Sequence, residues 1–136
     1  MKKSKEQQVK DWFKKAYSDL KIARREMCAP DPAMDAVCFH FQQAVEKLLK
    51  AWLIWHDVAF KPTHNIEALL GACENTDPGF AQLGLAKDLT PYAVDVRYGD
   101  RFFVPSQQDT EKAARIAKEV EEFVVAKFAS IGFKPI

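Results

Sequence analysis

Residues 36–56 limit what this chain can fold into more than any other stretch. They read AVCFHFQQAVEKLLKAWLIWH, with no glycine or proline among them. Val37, Phe41, Ala44, Leu48 and Trp52 recur at steps of three and four, which is one face of an α-helix. Phe39, Val45, Leu49 and Leu53 carry the apolar surface well beyond a single stripe. A helix apolar around most of its circumference has to be covered on several sides. At 1.5 Å per residue it would run roughly 30 Å, about the size of a small domain. The spacing therefore predicts the central helix of a bundle. One strip of it stays polar: His40, Gln43, Lys47 and Lys50, with Gln42 and Glu46 beside it. Such a strip fits a solvated seam, with Glu46 and Lys50 as an i,i+4 ion pair. The sharper alternative is the lining of a cleft or dimer groove.

Other segments supply the cover. Val9, Trp12, Phe13, Ala16, Leu20, Ala23 and Met27 predict a first helix over residues 7–27, after a frayed start. Asp31 before Pro32 reads as an N-cap followed by proline at the first helical position, opening the central helix over 32–57. The short link makes these two helices antiparallel neighbours. Thr63 reads as the cap of a third helix over 64–75, with His64 as a donor to a nearby carbonyl. Asp77-Pro78 repeats the cap-then-proline signal for a fourth helical region over 78–97. Gly84 weakens that region and Pro91 breaks it, with Thr90 placed to cap a restart. Ser106 and Asp109 form a capping-box pattern. It opens a last helix over 107–130, whose inward face is Ala113, Ile116, Ala117, Val120, Phe123, Val124, Lys127 and Ile131, with Gly132 as the stop. No alternating strand pattern and no internal repeat occurs. The expectation is a single all-α domain over residues 1–136, an up-and-down bundle of about five helices with a four-helix-bundle-like core.

Charge and cysteine content narrow the class of function. Twenty basic and nineteen acidic residues leave a net charge of +1, which gives no global attraction to nucleic acid or anionic membrane and leaves only local patches. DNA is not indicated. No apolar core follows the basic start, and polar residues interrupt the longest apolar run, so neither a signal peptide nor a membrane span is expected. The expected location is the cytoplasm. Cys28, Cys38 and Cys73 form no CxxC pair, so reduced, buried thiols are expected. Histidines and cysteines show no zinc-type spacing, so no metal site is expected. No phosphate-binding glycine loop is present, and no cofactor is implied.

Residues 95–105 are dense in charge and aromatics. Arg97, Tyr98, Asp100 and Arg101 stand out there: two guanidiniums beside an aromatic ring can hold a phosphate bidentately and stack a base. The alternative is that Arg97 ties down the loop and Tyr98 packs on the central helix. Of the two tryptophans Trp52 and Trp55, the first suits the core and the second a dimer contact.

Four groups of residues, in this order, resemble a known family. They are Trp12-Phe13 with Ala16, Asp19 and Leu20; the run FHFQQAVEKLLKA over 39–51; Thr63-His64-Asn65-Ile66 with Leu69 and Leu70; and Tyr92 with Arg97-Tyr98-Gly99-Asp100. Together they resemble the HEPN domain, the "higher eukaryotes and prokaryotes nucleotide-binding" helical module, over nearly the whole chain. The resemblance implies a five-helix bundle that dimerises and is encoded beside a minimal nucleotidyltransferase as a toxin–antitoxin pair. It also implies, in many members, a metal-independent ribonuclease whose Arg-x4-6-His motif lies at the dimer cleft. There arginine stabilises phosphate charge and histidine moves protons. This chain departs from that motif. Its histidines are His40, His56 and His64, and none follows Arg97.

The resulting expectation is a homodimeric module, not catalytic alone, that binds a nucleotide or RNA phosphate through Arg97, Tyr98, Asp100, Arg101, His40, Gln43 and Lys47. Its partner would be a minimal nucleotidyltransferase, with Tyr98 as the candidate acceptor of a transferred nucleotide. The alternative is an atypical ribonuclease toxin that uses Arg97 or Arg101 with a non-standard proton carrier such as His40.

Overall fold

The computed structural model describes residues 2–93 and 104–135. Among the described residues there are four α-helices: α1 Lys5–Met27, α2 Met34–Trp55, α3 Ile66–Thr76 and α4 Gln107–Ser130. A segment wound mostly as 3₁₀-helix, Pro78–Ala93, lies between α3 and α4. No strand occurs among the described residues. The all-α bundle expected from the apolar periods is what forms, and α2 packs against every other element.

Pairs of contacts give the direction of each piece. Lys5 at the start of α1 bonds Asp57 just past α2, while Asp19 meets His40 and Lys47, so α1 and α2 are antiparallel. Cys38 meets Thr110 and Trp52 meets Phe128, so α4 runs in the same sense as α2. α3 also follows α2, with His64 against Glu46, Cys73 at Leu49 and Thr76 at Trp52. The chain over residues 56–65 therefore doubles back along the bundle before α3 begins.

Several helix ends differ from expectation. α1 begins at Lys5, not Gln7, because the Ser4 hydroxyl accepts the Gln7 N–H at 3.1 Å and holds the first turn. Asp31 does not cap α2. That helix starts later, at Met34, and the N–H of Ala33 is taken by the Glu26 carboxylate of α1 at 2.9 Å. Thr63 is displaced as the cap of α3 by Asn65, whose side chain accepts from Ala68 N. Thr63 accepts from Asn65 N instead. Thr90 caps no restart; its hydroxyl accepts the Ile66 N–H at 3.1 Å and so serves the start of α3. The fourth helical region bends at Leu83, beside Gly84, and Pro91 sits inside it without ending it. Its expected extension over 94–97 lies outside the described residues.

Other signals hold as expected. The Asp77 carboxylate accepts the Gly79 N–H at 2.8 Å, a cap followed by proline. A Cβ at Gly79 would come within 3.0 Å of Asp77 Oδ1 and 3.2 Å of Lys127 Nζ, so a larger residue there would press on this ion pair. Ser106 and Asp109 form the reciprocal capping box at 3.0 and 2.9 Å. Gly132, at φ +81°, lets the chain leave α4.

The core centres on Phe128, which the expected inward face of α4 omitted. Its ring meets Trp52 at 5.1 Å, Phe13 at 5.5 Å and Phe133 at 5.6 Å, joining α1, α2, α4 and the C-terminal tail. Ile131, expected inside, is 45% exposed, and Lys127 lies half-buried in an ion pair with Asp77. Trp52 is in the core as expected. Trp55 was expected at a dimer contact but stacks on Phe133 at 4.6 Å within its own chain. Cys38 and Cys73 are buried, and burial raises their thiols to about 11 and about 12. Cys28 is exposed, against expectation.

Two predictions follow from this packing. Phe128→Ala is expected to cost about 3–5 kcal/mol, read by urea denaturation, because a large aromatic shared by four segments leaves a cavity. Asp77 concerns pH: the Lys127 ammonium at 2.7 Å and the Gly79 N–H hold its carboxyl below the ordinary 3.8. A lowered folded-state value contributes stability above the unfolded value that is lost as pH falls. The urea-midpoint gap between wild type and Asp77→Asn should stay constant above roughly pH 5 and narrow below roughly pH 4.

Candidate functional site

α2 must place its polar strip somewhere, and the structure turns most of it inward. Asp19, on the buried stripe of α1 between Ala16 and Ala23, faces it. One Asp19 oxygen accepts from His40 Nδ1 at 2.9 Å and the other from Lys47 Nζ. An ionised carboxylate is acceptor-only, so the contact has His40 Nδ1–H as its donor. Asp19 is only 6% exposed.

A second cluster adjoins it. Glu46 is 3% exposed and is surrounded by donors: Lys50 Nζ at 2.6 Å, Gln42 Nε2 at 3.0 Å, His64 Nδ1 at 3.1 Å and Gln43 Nε2 at 3.3 Å. Gln42, fully buried, also donates to the His64 carbonyl at 3.2 Å, which fixes the loop ahead of α3. Gln43 donates to Gln42 Oε1 at 2.6 Å. Lys50 lies between the rings of Trp12 and Phe60, each 5.7 Å from its ammonium, a cation–π clamp from two segments. Burying charges is costly unless each is paired and hydrogen-bonded, and here each is. No buried side-chain nitrogen or oxygen among the described residues lacks a partner.

Of the seven residues expected to hold a ligand, the structure brings His40 and Lys47 together on Asp19 and places Gln43 in the adjoining cluster. Arg97, Tyr98, Asp100 and Arg101 lie outside the described residues. The i,i+4 pair of Glu46 and Lys50 forms, but in the interior and not in a solvated seam. His64 was expected to donate a hydrogen bond to a carbonyl. Its Nδ1 is instead bonded to the Glu46 carboxylate, and its own carbonyl accepts from Gln42. The residue that sequence reasoning left out of the site is Asp19. Its signal was register: an acid three positions after Ala16 and four before Ala23 falls on the inward face of α1.

The arrangement is a charge-balanced polar core with one chemically usable feature. A histidine whose Nδ1–H is held by a carboxylate presents Nε2 as its basic nitrogen. His56, the third histidine, stacks 4.3 Å from Trp52, and burial lowers its affinity for a proton. No group of three His, Cys, Asp or Glu with metal-binding geometry exists among the described residues. Among them, too, no helix is long and apolar enough to cross a membrane.

Removing Asp19 should expose what the pairing contributes. Asp19→Ala leaves Lys47 and His40 without their acceptor and is expected to cost about 2–3 kcal/mol, less than a fully buried pair because both partners keep some solvent contact. Adding Lys47→Met should recover part of that loss in the same urea experiment, since the stranded ammonium is then gone.

Comparison with known proteins agrees with this anatomy. Neither the curated proteins nor the solved structures compared with the chain give a match. The HEPN domain family model matches residues 9–128, from the first buried turn of α1 to the aromatic centre of the core in α4. The chain belongs to the HEPN domain family, a family of nucleotide- and RNA-related helical modules.

Proposed function

We propose that this protein is a cytoplasmic, homodimeric HEPN module that binds a nucleotide or RNA phosphate, pairs with a minimal nucleotidyltransferase, and does not cleave RNA by itself. The observation that carries this reading is the family match over residues 9–128 in a chain with no histidine beyond His64. The Arg-x4-6-His ribonuclease motif therefore has no second member after Arg97. The cations of the α2 strip are already committed, Lys47 to Asp19 and Lys50 to Glu46. Phosphate recognition then falls mainly to Arg97 and Arg101, whose guanidiniums suit bidentate phosphate binding. Tyr98 between them is the acceptor we assign to a nucleotide transferred by the partner enzyme.

A second reading, an atypical ribonuclease, is favoured by one observation. Asp19 orients His40 as a base is oriented in acid–base catalysis, with Nε2 left to take a proton from a 2′-hydroxyl. Both readings are separated by incubating the purified protein with total RNA in chelator and by titrating a fluorescent nucleoside triphosphate. The expected result is intact RNA, with nucleotide binding weakened about tenfold or more in Arg97→Ala/Arg101→Ala, as for loss of charge-assisted hydrogen bonds. RNA cleavage that disappears in Arg97→Ala and in His40→Gln would replace the first reading with the second.

A further inference from the structure

The +1 net charge of the chain hides an uneven distribution. α1 carries seven basic and four acidic residues, and one of those acids, Asp19, is buried and already paired. The outer face of α1 forms a groove of about 460 Å³ with the C-terminal tail, lined by Gln7, Lys10, Asp11, Lys14, Tyr17, Ser18 and Lys21 and closed by Pro135, so three ammonium groups share it with one carboxylate. Lys10, Lys14 and Lys21 make no ion pair and no hydrogen bond among the described residues. Two acids lie at the groove, Asp11 within electrostatic reach of Lys14 and Glu121 against Tyr17, and each is bonded to a cation outside the lysine row. Asp11 holds Lys3 at 2.7 Å and Gln7 at 3.0 Å, and Glu121 holds Arg24 at 2.7 Å. This contrasts with α2, where each lysine of the strip has its own carboxylate.

The groove has a second, apolar half. A notch of about 280 Å³ lined by Val125, Ala129 and Phe133 shares Tyr17 and Pro135 with the basic half, and Lys134 stands at its rim. Tyr17 is half-buried, and its phenol is pushed up to about 12 by burial and then by Glu121, so it adds no negative charge. The three lysines extend about 16 Å along the helix, at steps of about 6 and 10 Å. That is a track for several phosphates in a row, longer than one phosphate group needs. Basic residues along a groove, with an aromatic and an apolar surface beside them, are how proteins hold single-stranded nucleic acid without reading its sequence.

We infer that the groove between α1 and the C-terminal tail binds single-stranded RNA, with Lys10, Lys14 and Lys21 following the phosphate backbone and the Val125–Ala129–Phe133 notch taking a base. The inference rests on the reading of the protein as an RNA-related module, but it assigns the strand to a face that shares no residue with the Arg97–Arg101 segment. The recognition chemistry is three ammonium groups with no ion pair of their own among the described residues, outnumbering the one carboxylate of the lining, plus an apolar slot. An acidic peptide would satisfy the first but leaves the slot with no planar occupant.

The test is fluorescence anisotropy with a labelled oligouridylate of about a dozen nucleotides, titrated at several salt concentrations. Three phosphate contacts predict a log–log salt slope near −2, equivalent to roughly a 15-fold loss of affinity between about 50 and 200 mM salt. Lys10→Ala/Lys14→Ala/Lys21→Ala, all at exposed positions, should remove most of that slope and at least about tenfold of the affinity. Ala129→Trp, which fills the notch from an exposed position, should weaken binding roughly tenfold while leaving the slope unchanged. Wild-type affinity and slope in the triple lysine variant would overturn the inference, as would equal binding of a polyglutamate of matched charge. Loss of RNA binding confined to Arg97→Ala/Arg101→Ala would also overturn it while leaving the proposed function standing. RNA binding lost in the lysine variant and weakened in Ala129→Trp but kept in Arg97→Ala/Arg101→Ala, with nucleotide binding intact in the lysine variant, supports the groove and counts against the arginine segment as the RNA contact.

Discussion

A carboxylate only 3% exposed, as Glu46 is, has to be enclosed by donors before the bundle can close around it. This requirement organises the interior. Lys50 comes from the next turn of the same helix, Gln42 and Gln43 from the turn before, and His64 from the loop that leads into α3. Asp19 sets the same condition on α1, answered by His40 and Lys47. The apolar surface of α2 drives burial without specifying an arrangement. The two acids do specify one. Moving α1 along α2 by one turn, about 5.4 Å, would strand Asp19, His40 and Lys47 at once.

How much of this could be read from sequence depends on whether a signal is local. Apolar period is local, and it placed the four α-helices, with α4 correct at both ends. The capping box at Ser106 and the stop at Gly132 are local too. Caps proved less legible because competitors from distant sequence won. Glu26 of α1 serves the start of α2, and Thr90 serves the start of α3 across 24 positions. Phe128 escaped notice for a related reason. Continuing the inward face by threes from Val124 leads to Lys127, whereas the i+4 step leads to the aromatic cluster. The polar strip was visible in the sequence, but its burial was not, because burial depended on Asp19 arriving from α1. The arginine-bearing segment, the centre of the expected site, lies outside the described residues.

The distribution of charge partners separates two kinds of basic surface in this HEPN protein. On α2 each lysine of the strip is matched to a carboxylate, and its contribution is to specificity of packing. On α1 the lysines of the groove are exposed and outnumber its one lining acid, Asp11, which is already bonded to Lys3. An incoming anion therefore has no ion pair of these lysines to break on α1 and would have to break a buried pair on α2. That difference is why the structure directs an anionic strand to the outer face of the first helix.

The winding of the Pro78–Ala93 segment has a geometric consequence of its own. Phe80 begins beside Trp52, and Tyr92 ends within electrostatic reach of Cys38, a run of about 21 Å along α2. Twelve residues of α-helix would cover only about 18 Å, whereas the same twelve at the 3₁₀ rise cover about 24 Å. The thinner coil works as a longer strut, returning the polypeptide to the end of the bundle from which α4 departs. The tighter winding, with fewer residues per turn and a larger rise per residue, lets a stretch that holds Gly84 and Pro91 span that height.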